Sequence, residues 1–133
     1  MEFQDKVVVV TGGAKGIGKC IAEMFQKEGA HVCIIDAEKN DYFQGDVGSQ
    51  DILEQFHQKV IDDYGHIDYL IHNAKPLFKG IEECSYDEFQ YALSVGVTGP
   101  FYLTKLFQDD FRKGGCIINI SSSRDGMSQP QSE

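Results

Sequence analysis

Four valines in a row, Val7 to Val10, run directly into Thr11-Gly12-Gly13-Ala14-Lys15-Gly16-Ile17-Gly18. A β-branched residue at every position reads as a strand buried on both faces. The glycines then permit a tight turn, and Ile17, Cys20, Ile21, Met24 and Phe25 recur at helical spacing. A strand, a Gly-rich turn and a helix N-terminus together present free N–H groups and the positive end of the helix dipole to an anion. The missing Cβ atoms let a phosphate come close to the backbone. The run therefore predicts a nucleotide-binding turn.

Two nucleotide readings compete. Gly13-Ala14-Lys15-Gly16-Ile17-Gly18-Lys19-Cys20 departs at one position from the phosphate loop G-x-x-x-x-G-K-[ST]. That last position supplies a hydroxyl to Mg²⁺, and a cysteine sulfur is a poor ligand for so hard a cation. The rival is Thr11-Gly12-x-x-x-Gly16-Ile17-Gly18, a dinucleotide turn that lacks the G-x-G-x-x-G spacing; the plain alternative is a turn with no ligand. Asp36 favours the dinucleotide. It ends the second predicted strand about 20 residues after the turn, where an acidic side chain accepts a hydrogen bond from an adenosine ribose 2′-OH. A carboxylate there also repels a 2′-phosphate, so NAD is expected over NADP. Lys15 pulls the other way, since a basic residue in the turn attracts that phosphate, but Asp36 opposes it directly. The plain alternative for Asp36 is a solvated strand end.

Strand and helix patterns alternate along all 133 residues, which predicts a single α/β domain with a doubly wound parallel sheet between helical layers. Strands are expected at 6–11, 31–36, 42–46, 67–72 and 116–121. Helices are expected at 16–28, 49–64 and 85–111, the last interrupted by Gly96, Gly99 and Pro100; the tail from 124 to 133 reads as loop. One connection conflicts with this plan. Parallel neighbours need a crossover of roughly 10–12 residues, and residues 37–41 are too few for a helix. Either the third strand is not a parallel neighbour, or residues of the whole protein are missing from the sequence; the second is the expectation. The net charge of −9 argues against nucleic acid or an anionic membrane as partner. Cys20, Cys33, Cys84 and Cys116 form no C-x-x-C pair and read as reduced core cysteines of a cytoplasmic protein. His31, His57, His66 and His72 show no ligand spacing, so no metal site is expected. No apolar stretch reaches membrane-span length and no signal peptide is visible.

With Asp36, the Thr11–Gly18 turn, Asp46-Val47, Asn73-Ala74 and Ile118-Asn119-Ile120-Ser121-Ser122, the chain resembles the short-chain dehydrogenase/reductase family, matching the N-terminal half of a typical member. The resemblance implies a Rossmann fold, a nicotinamide cofactor and hydride transfer between an alcohol and a ketone. It implies that Gly12, Gly16, Ile17 and Gly18 line the pyrophosphate and ribose, with Lys15 in the same turn, and that Asp36 binds the adenosine ribose. Asp46 would accept the adenine amine, the Val47 backbone would contact the ring, and Asn73 and Ala74 would sit beside the cofactor. Ser122 would be the catalytic serine that hydrogen-bonds the substrate oxygen, with Ser121 and Ser123 as its neighbours. The plain readings are a turn residue for Asp46, a strand-end cap for Asn73 and a polar strand end for Ser122.

Three departures from the family pattern stand out. Lys75 replaces a glycine that lets the backbone approach the cofactor. Gly96 replaces the asparagine of V-N-x-x-G-x-F, which holds a water in the proton relay. The Tyr-x-x-x-Lys pair, in which the lysine charge lowers the tyrosine pKa for acid/base work, would fall just past Glu133. Tyr42, Tyr64, Tyr69, Tyr86, Tyr91 and Tyr102 all lie in strand or helix patterns, where tyrosines pack more often than they react. The chain as it stands is therefore expected to be inactive alone, and Gly96 leaves room for a dinucleotide-binding pseudoenzyme. Leu77 and Phe78 are candidates to line an apolar substrate pocket. By resemblance, a homodimer or homotetramer would pair through the 85–111 helix, whose apolar positions include Phe89, Leu93, Phe101, Leu106 and Phe107.

Overall fold

The computed structural model describes residues 1–77 and 79–122. The readings that fell on Phe78, Ser123 and the 124–133 tail lie outside the described residues. The element order is β1 (Val7–Thr11), α1 (Gly16–Lys27), β2 (His31–Asp36), β3 (Phe43–Gln44), α2 (Gln50–Tyr64), β4 (Ile67–His72), α3 (Tyr86–Leu93), α4 (Gly99–Phe107) and β5 (Phe111–Asn119), with a π-helical turn at Ser94–Thr98 joining α3 to α4. The strands form one sheet in the order β3-β2-β1-β4-β5, and every pair is parallel. This is the doubly wound Rossmann arrangement. Its strand order reverses between β1 and β4, which opens a crevice at the carboxyl ends of those strands.

The valine run is buried on both faces. Val8 and Val10 pack with Ala30 and Ile71 beneath Ile21 and Phe25 of α1. Val7 and Val9 face the larger core with Leu53, Phe56 and Val60 of α2 and Leu103 and Phe107 of α4. Phe56 and Phe107 are fully buried and meet edge to face at 6.3 Å between centroids; burying such a ring stabilises by about 1.5–3 kcal/mol. Two helices are also fixed at their starts. The Ser49 hydroxyl accepts from the Ile52 N–H, and Ser85 and Glu88 form a reciprocal capping box on α3.

At the amino end of the sheet, Asp68 joins three strands. Its side chain is buried, accepting from the Val7 N–H at 2.8 Å and from Arg112 Nε and Nη2 at 2.9 and 2.5 Å. Burial pushes the Asp68 carboxyl up, but the Arg112 guanidinium and the Val7 N–H more than offset it and hold it below the usual carboxylate range.

Several expectations are corrected. Of the two alternatives for the short connection, the one in which the third strand is not a parallel neighbour fails: β3 pairs in parallel with β2 through residues 37–42 without a helix, with Ile35 opposite Phe43 and Asp36 opposite Gln44. The geometry is possible because β3 has only two residues and pairs only with the last two of β2. The chain therefore returns by about 7 Å rather than by a whole strand length. Asn40 closes the loop. Its Oδ1 accepts from the Tyr42 and Phe43 N–H groups, and its Nδ2 donates to the Glu38 and Phe43 carbonyls. The 85–111 pattern is α3, a π turn and α4, and Phe111 already belongs to β5. Phe89, Leu93 and Phe101 are exposed, whereas Phe107 is buried and Leu106 packs against the core. All four cysteines are free, but Cys33 alone is buried, while Cys20 and Cys116 are exposed.

Candidate functional site

The crevice is a groove of about 490 Å³ lined by Gly12, Lys15, Gly16, Ile17, Asp36, Glu38, Asp46, Val47, Asn73, Ala74, Lys75, Leu77 and Tyr91, among others. That volume suits a small-molecule or cofactor site. Nine of the predicted residues thus meet on one surface although they come from four separate turns.

The glycine turn is braced from below. Gly12 adopts φ +68°, and a Cβ there would lie 2.9 Å from the Ala74 Cα. Gly18 is buried, and a Cβ on it would overlap the Gly12 carbonyl and the Asn73 amide. It therefore acts from beneath the groove rather than on its surface. The Asn73 Nδ2 donates to the Gly12 carbonyl at 3.0 Å, while the Thr11 hydroxyl accepts from the N–H groups of Asn73 and Ala74 at 2.9 Å each. The Asn73 side chain thus holds the turn of β1 against the end of β4.

α1 starts at Gly16 with Lys15 as an extended N-cap residue, no side-chain cap and no acidic residue in its first turn. The opening N–H groups of the helix therefore keep their dipole for an anion. At Gly16 a Cβ would meet no protein atom within 4 Å, so the space beside it belongs to the groove.

Two carboxylates stand farther along. Asp36 accepts from the Ala14 N–H at 2.9 Å through Oδ2 and from the Glu38 N–H at 2.8 Å through Oδ1. Asp46 accepts from the Gly48 N–H at 2.8 Å through Oδ1 and from the Tyr91 hydroxyl at 2.7 Å through Oδ2. That hydrogen bond to Asp46, with burial, pushes the Tyr91 phenol up to about 12, so it stays a donor. Lys15 does not stand free over the groove: its ammonium lies 3.0 Å from Glu38, and this partner holds its pKa above the usual lysine value.

Lys75 lines the other end with Pro76 and Leu77. Gly96 lies in the π turn, exposed; a Cβ on it would meet Pro76 Cγ and Cδ at 3.5 Å, an ordinary contact. Ser122 follows β5 as an exposed residue and does not line the groove. Behind the site lies His72, buried at the end of β4. Its Nε2 lies 2.9 Å from the Thr104 hydroxyl, and burial lowers its pKa. Sequence reading missed Glu38 and Tyr91. Glu38 looked like a loop charge and Tyr91 like a packing residue, and only their three-dimensional partners mark them. Among the described residues no His/Cys/Asp/Glu cluster is placed to hold a metal ion, and no helix is long and apolar enough to cross a membrane.

A family model described as short chain dehydrogenase matches residues 6–132. An uncharacterized oxidoreductase of Thermotoga maritima is 36% identical over 141 aligned positions, which cover 92% of this chain and 55% of that protein. L-fucose dehydrogenase of Mus musculus is 33% identical over 97% of this chain and 53% of its own length. Among solved structures, an apo SCOR enzyme from Clostridium thermocellum is 37% identical with a TM-score of 0.87, over 96% of this chain and 58% of the other. The chain spans about half the length of the curated relatives it matches.

Proposed function

The chain belongs to the short-chain dehydrogenase family, and on that footing we propose that its groove holds a nicotinamide dinucleotide, NAD in preference to NADP, for hydride transfer between an alcohol and a ketone. One observation carries the reading: the uncapped start of α1 and the doubly anchored carboxylate of Asp36 share one groove. The N–H groups at Gly16, Ile17 and Gly18 suit a pyrophosphate, and the open space at the Gly16 Cβ position leaves room for it. Each Asp36 oxygen keeps a lone pair for a ribose hydroxyl, and its charge opposes a 2′-phosphate. Glu38 supports the same preference by engaging Lys15. Asp46 suits the adenine amine, with the Val47 backbone against the ring and Asn73 and Ala74 beside the cofactor.

A bound nicotinamide would supply or accept the hydride. Ser122 would donate a hydrogen bond to the substrate oxygen, fixing it for proton transfer. Because one relative is named for L-fucose, aldoses are the first substrates to offer. The exposed Phe89, Leu93 and Phe101 support pairing of copies along α3 and α4, and the free cysteines are consistent with a cytoplasmic protein.

Fluorescence titration with NADH and NADPH tests the cofactor reading. NADH should bind at least tenfold more tightly; the reverse order would overturn the preference, and no binding of either would overturn the site. A second reading, a dinucleotide-binding protein without turnover, is favoured by Gly96, which offers no side chain to a relay water. Gly96→Asn, made in the complete protein, separates the two: measurable turnover that rises with asparagine supports a weakened relay, and no turnover in either form supports the second reading.

A further inference from the structure

Tyr91 has no role in the reading above, yet it reaches across 45 positions of sequence to a carboxylate at the edge of the groove. We propose that Tyr91 is a positioning residue that holds Asp46 as a fixed acceptor, so that this end of the groove selects a 6-amino purine over a 6-oxo purine. The proposal rests on the reading of the groove as a dinucleotide site.

The geometry supports it in three steps. First, both oxygens of Asp46 are tethered, one by the Gly48 N–H at 2.8 Å and the other by the Tyr91 hydroxyl at 2.7 Å. A carboxylate held at both oxygens loses its free rotation, and each oxygen keeps a lone pair. Second, Asp46 and Tyr91 both line the groove together with Val47 and Val95. The fixed acceptor thus sits beside the apolar surface against which a flat base would lie. Third, an ionised carboxylate only accepts. It pairs with the N–H of a 6-amino group and opposes the lone pairs of a 6-oxo group, and discrimination of this kind is strong only where the acceptor is pre-oriented. Tyr91 is half exposed on α3 and its ring lies close to Gly48, so removing its hydroxyl leaves the core untouched.

The test compares NADH with reduced nicotinamide hypoxanthine dinucleotide by fluorescence titration of the full chain. The wild type should prefer NADH by about tenfold, the size expected of one charge-assisted hydrogen bond. Tyr91→Phe should cut that preference to about twofold, chiefly by weakening NADH, with the hypoxanthine analogue little changed. Asp46→Asn, whose amide can donate to a 6-oxo group, should reverse it. A tether that served only stability would weaken both ligands equally and leave the ratio alone. If Tyr91→Phe keeps the wild-type ratio while Asp46→Asn loses it, Asp46 reads the base without Tyr91 and the proposal is overturned while the dinucleotide site stands. If Asp46→Asn also keeps the ratio, Asp46 does not read the base and the proposal is overturned while the dinucleotide site stands; if the wild type binds neither ligand, the reading of the groove falls and the proposal with it.

Discussion

Asp68 and Asp36 are carboxylates at opposite ends of one sheet, and their surroundings differ. Asp68, at the amino end, is closed off: a backbone N–H and two guanidinium N–H groups fill it, and its side chain is buried. Asp36, at the carboxyl end, is half-buried and takes one backbone N–H on each oxygen, with the rest of its hydrogen-bonding capacity turned to a groove. A buried carboxylate with every partner supplied by the protein serves stability. A carboxylate fixed by the backbone and left partly unfilled suits recognition, the role proposed above for Asp36. On that proposal the same residue type does two jobs, divided by which end of the strands it occupies.

The largest expected effect breaks the closed member. Asp68→Ala leaves the Val7 N–H without a partner inside the sheet and frees Arg112, and should cost about 3 kcal/mol, read as a drop in unfolding midpoint. Cofactor selectivity should not move. The pH dependence has a definite sign. The folded-state pKa of Asp68 is held below its unfolded value, so its contribution is present above about pH 4 and is lost as pH falls through the carboxylate range. Unfolding of the wild type should therefore lose more stability between pH 6 and pH 3 than unfolding of the alanine variant, where those pH values are roughly the limits of the carboxylate range. Equal acid limbs would mean that Asp68 is not the buried anchor described here.

Asp36→Asn strikes the open member and should produce the converse. Stability should fall by about 1 kcal/mol or less, since an amide oxygen can keep one of the two backbone donors. The preference for NADH over NADPH should shrink by roughly 10- to 30-fold, as a charge-assisted hydrogen bond and a charge repulsion disappear together. If this variant instead unfolds as readily as the Asp68 variant, the division between the two ends of the sheet is wrong.

The sheet and most of its elements were legible because valine runs and helical spacing are local signals. Asp36 and the glycine turn were legible because strand–turn–helix spacing fixes where they fall. Three features were not. The form of the β2–β3 connection was not legible because counting residues assumes strands of ordinary length, and β3 has two. The break in the 85–111 helix was marked by Gly96 and Gly99, but not its form. A Cβ at Gly99 would lie 2.5 Å from the Val47 carbonyl, so the π turn and α4 follow a packing constraint set by a loop far away in sequence. Tyr91 and Glu38 were invisible as site residues because each gains its role only from a partner across space. Asp46 and Lys15 were named; what holds them was not.

The smallest expected effect sharpens the open end further. Lys15 shares the Asp36 end of the groove, where its charge invites a 2′-phosphate, and Glu38 lies 3.0 Å from it with both side chains exposed. Exposed pairs are weak, so Glu38→Gln should improve NADPH binding by only about three- to fivefold and leave NADH and stability nearly unchanged. Because the pair is open to solvent, the gain should shrink as salt is raised. Repeating the Asp36→Asn titration across the same salt range gives the contrast. Its loss of selectivity comes from a directional hydrogen bond as well as from charge, so part of it should persist at high salt. If the Glu38→Gln gain is absent at low salt, Lys15 has no path to the ribose. The choice of cofactor then rests on Asp36 alone.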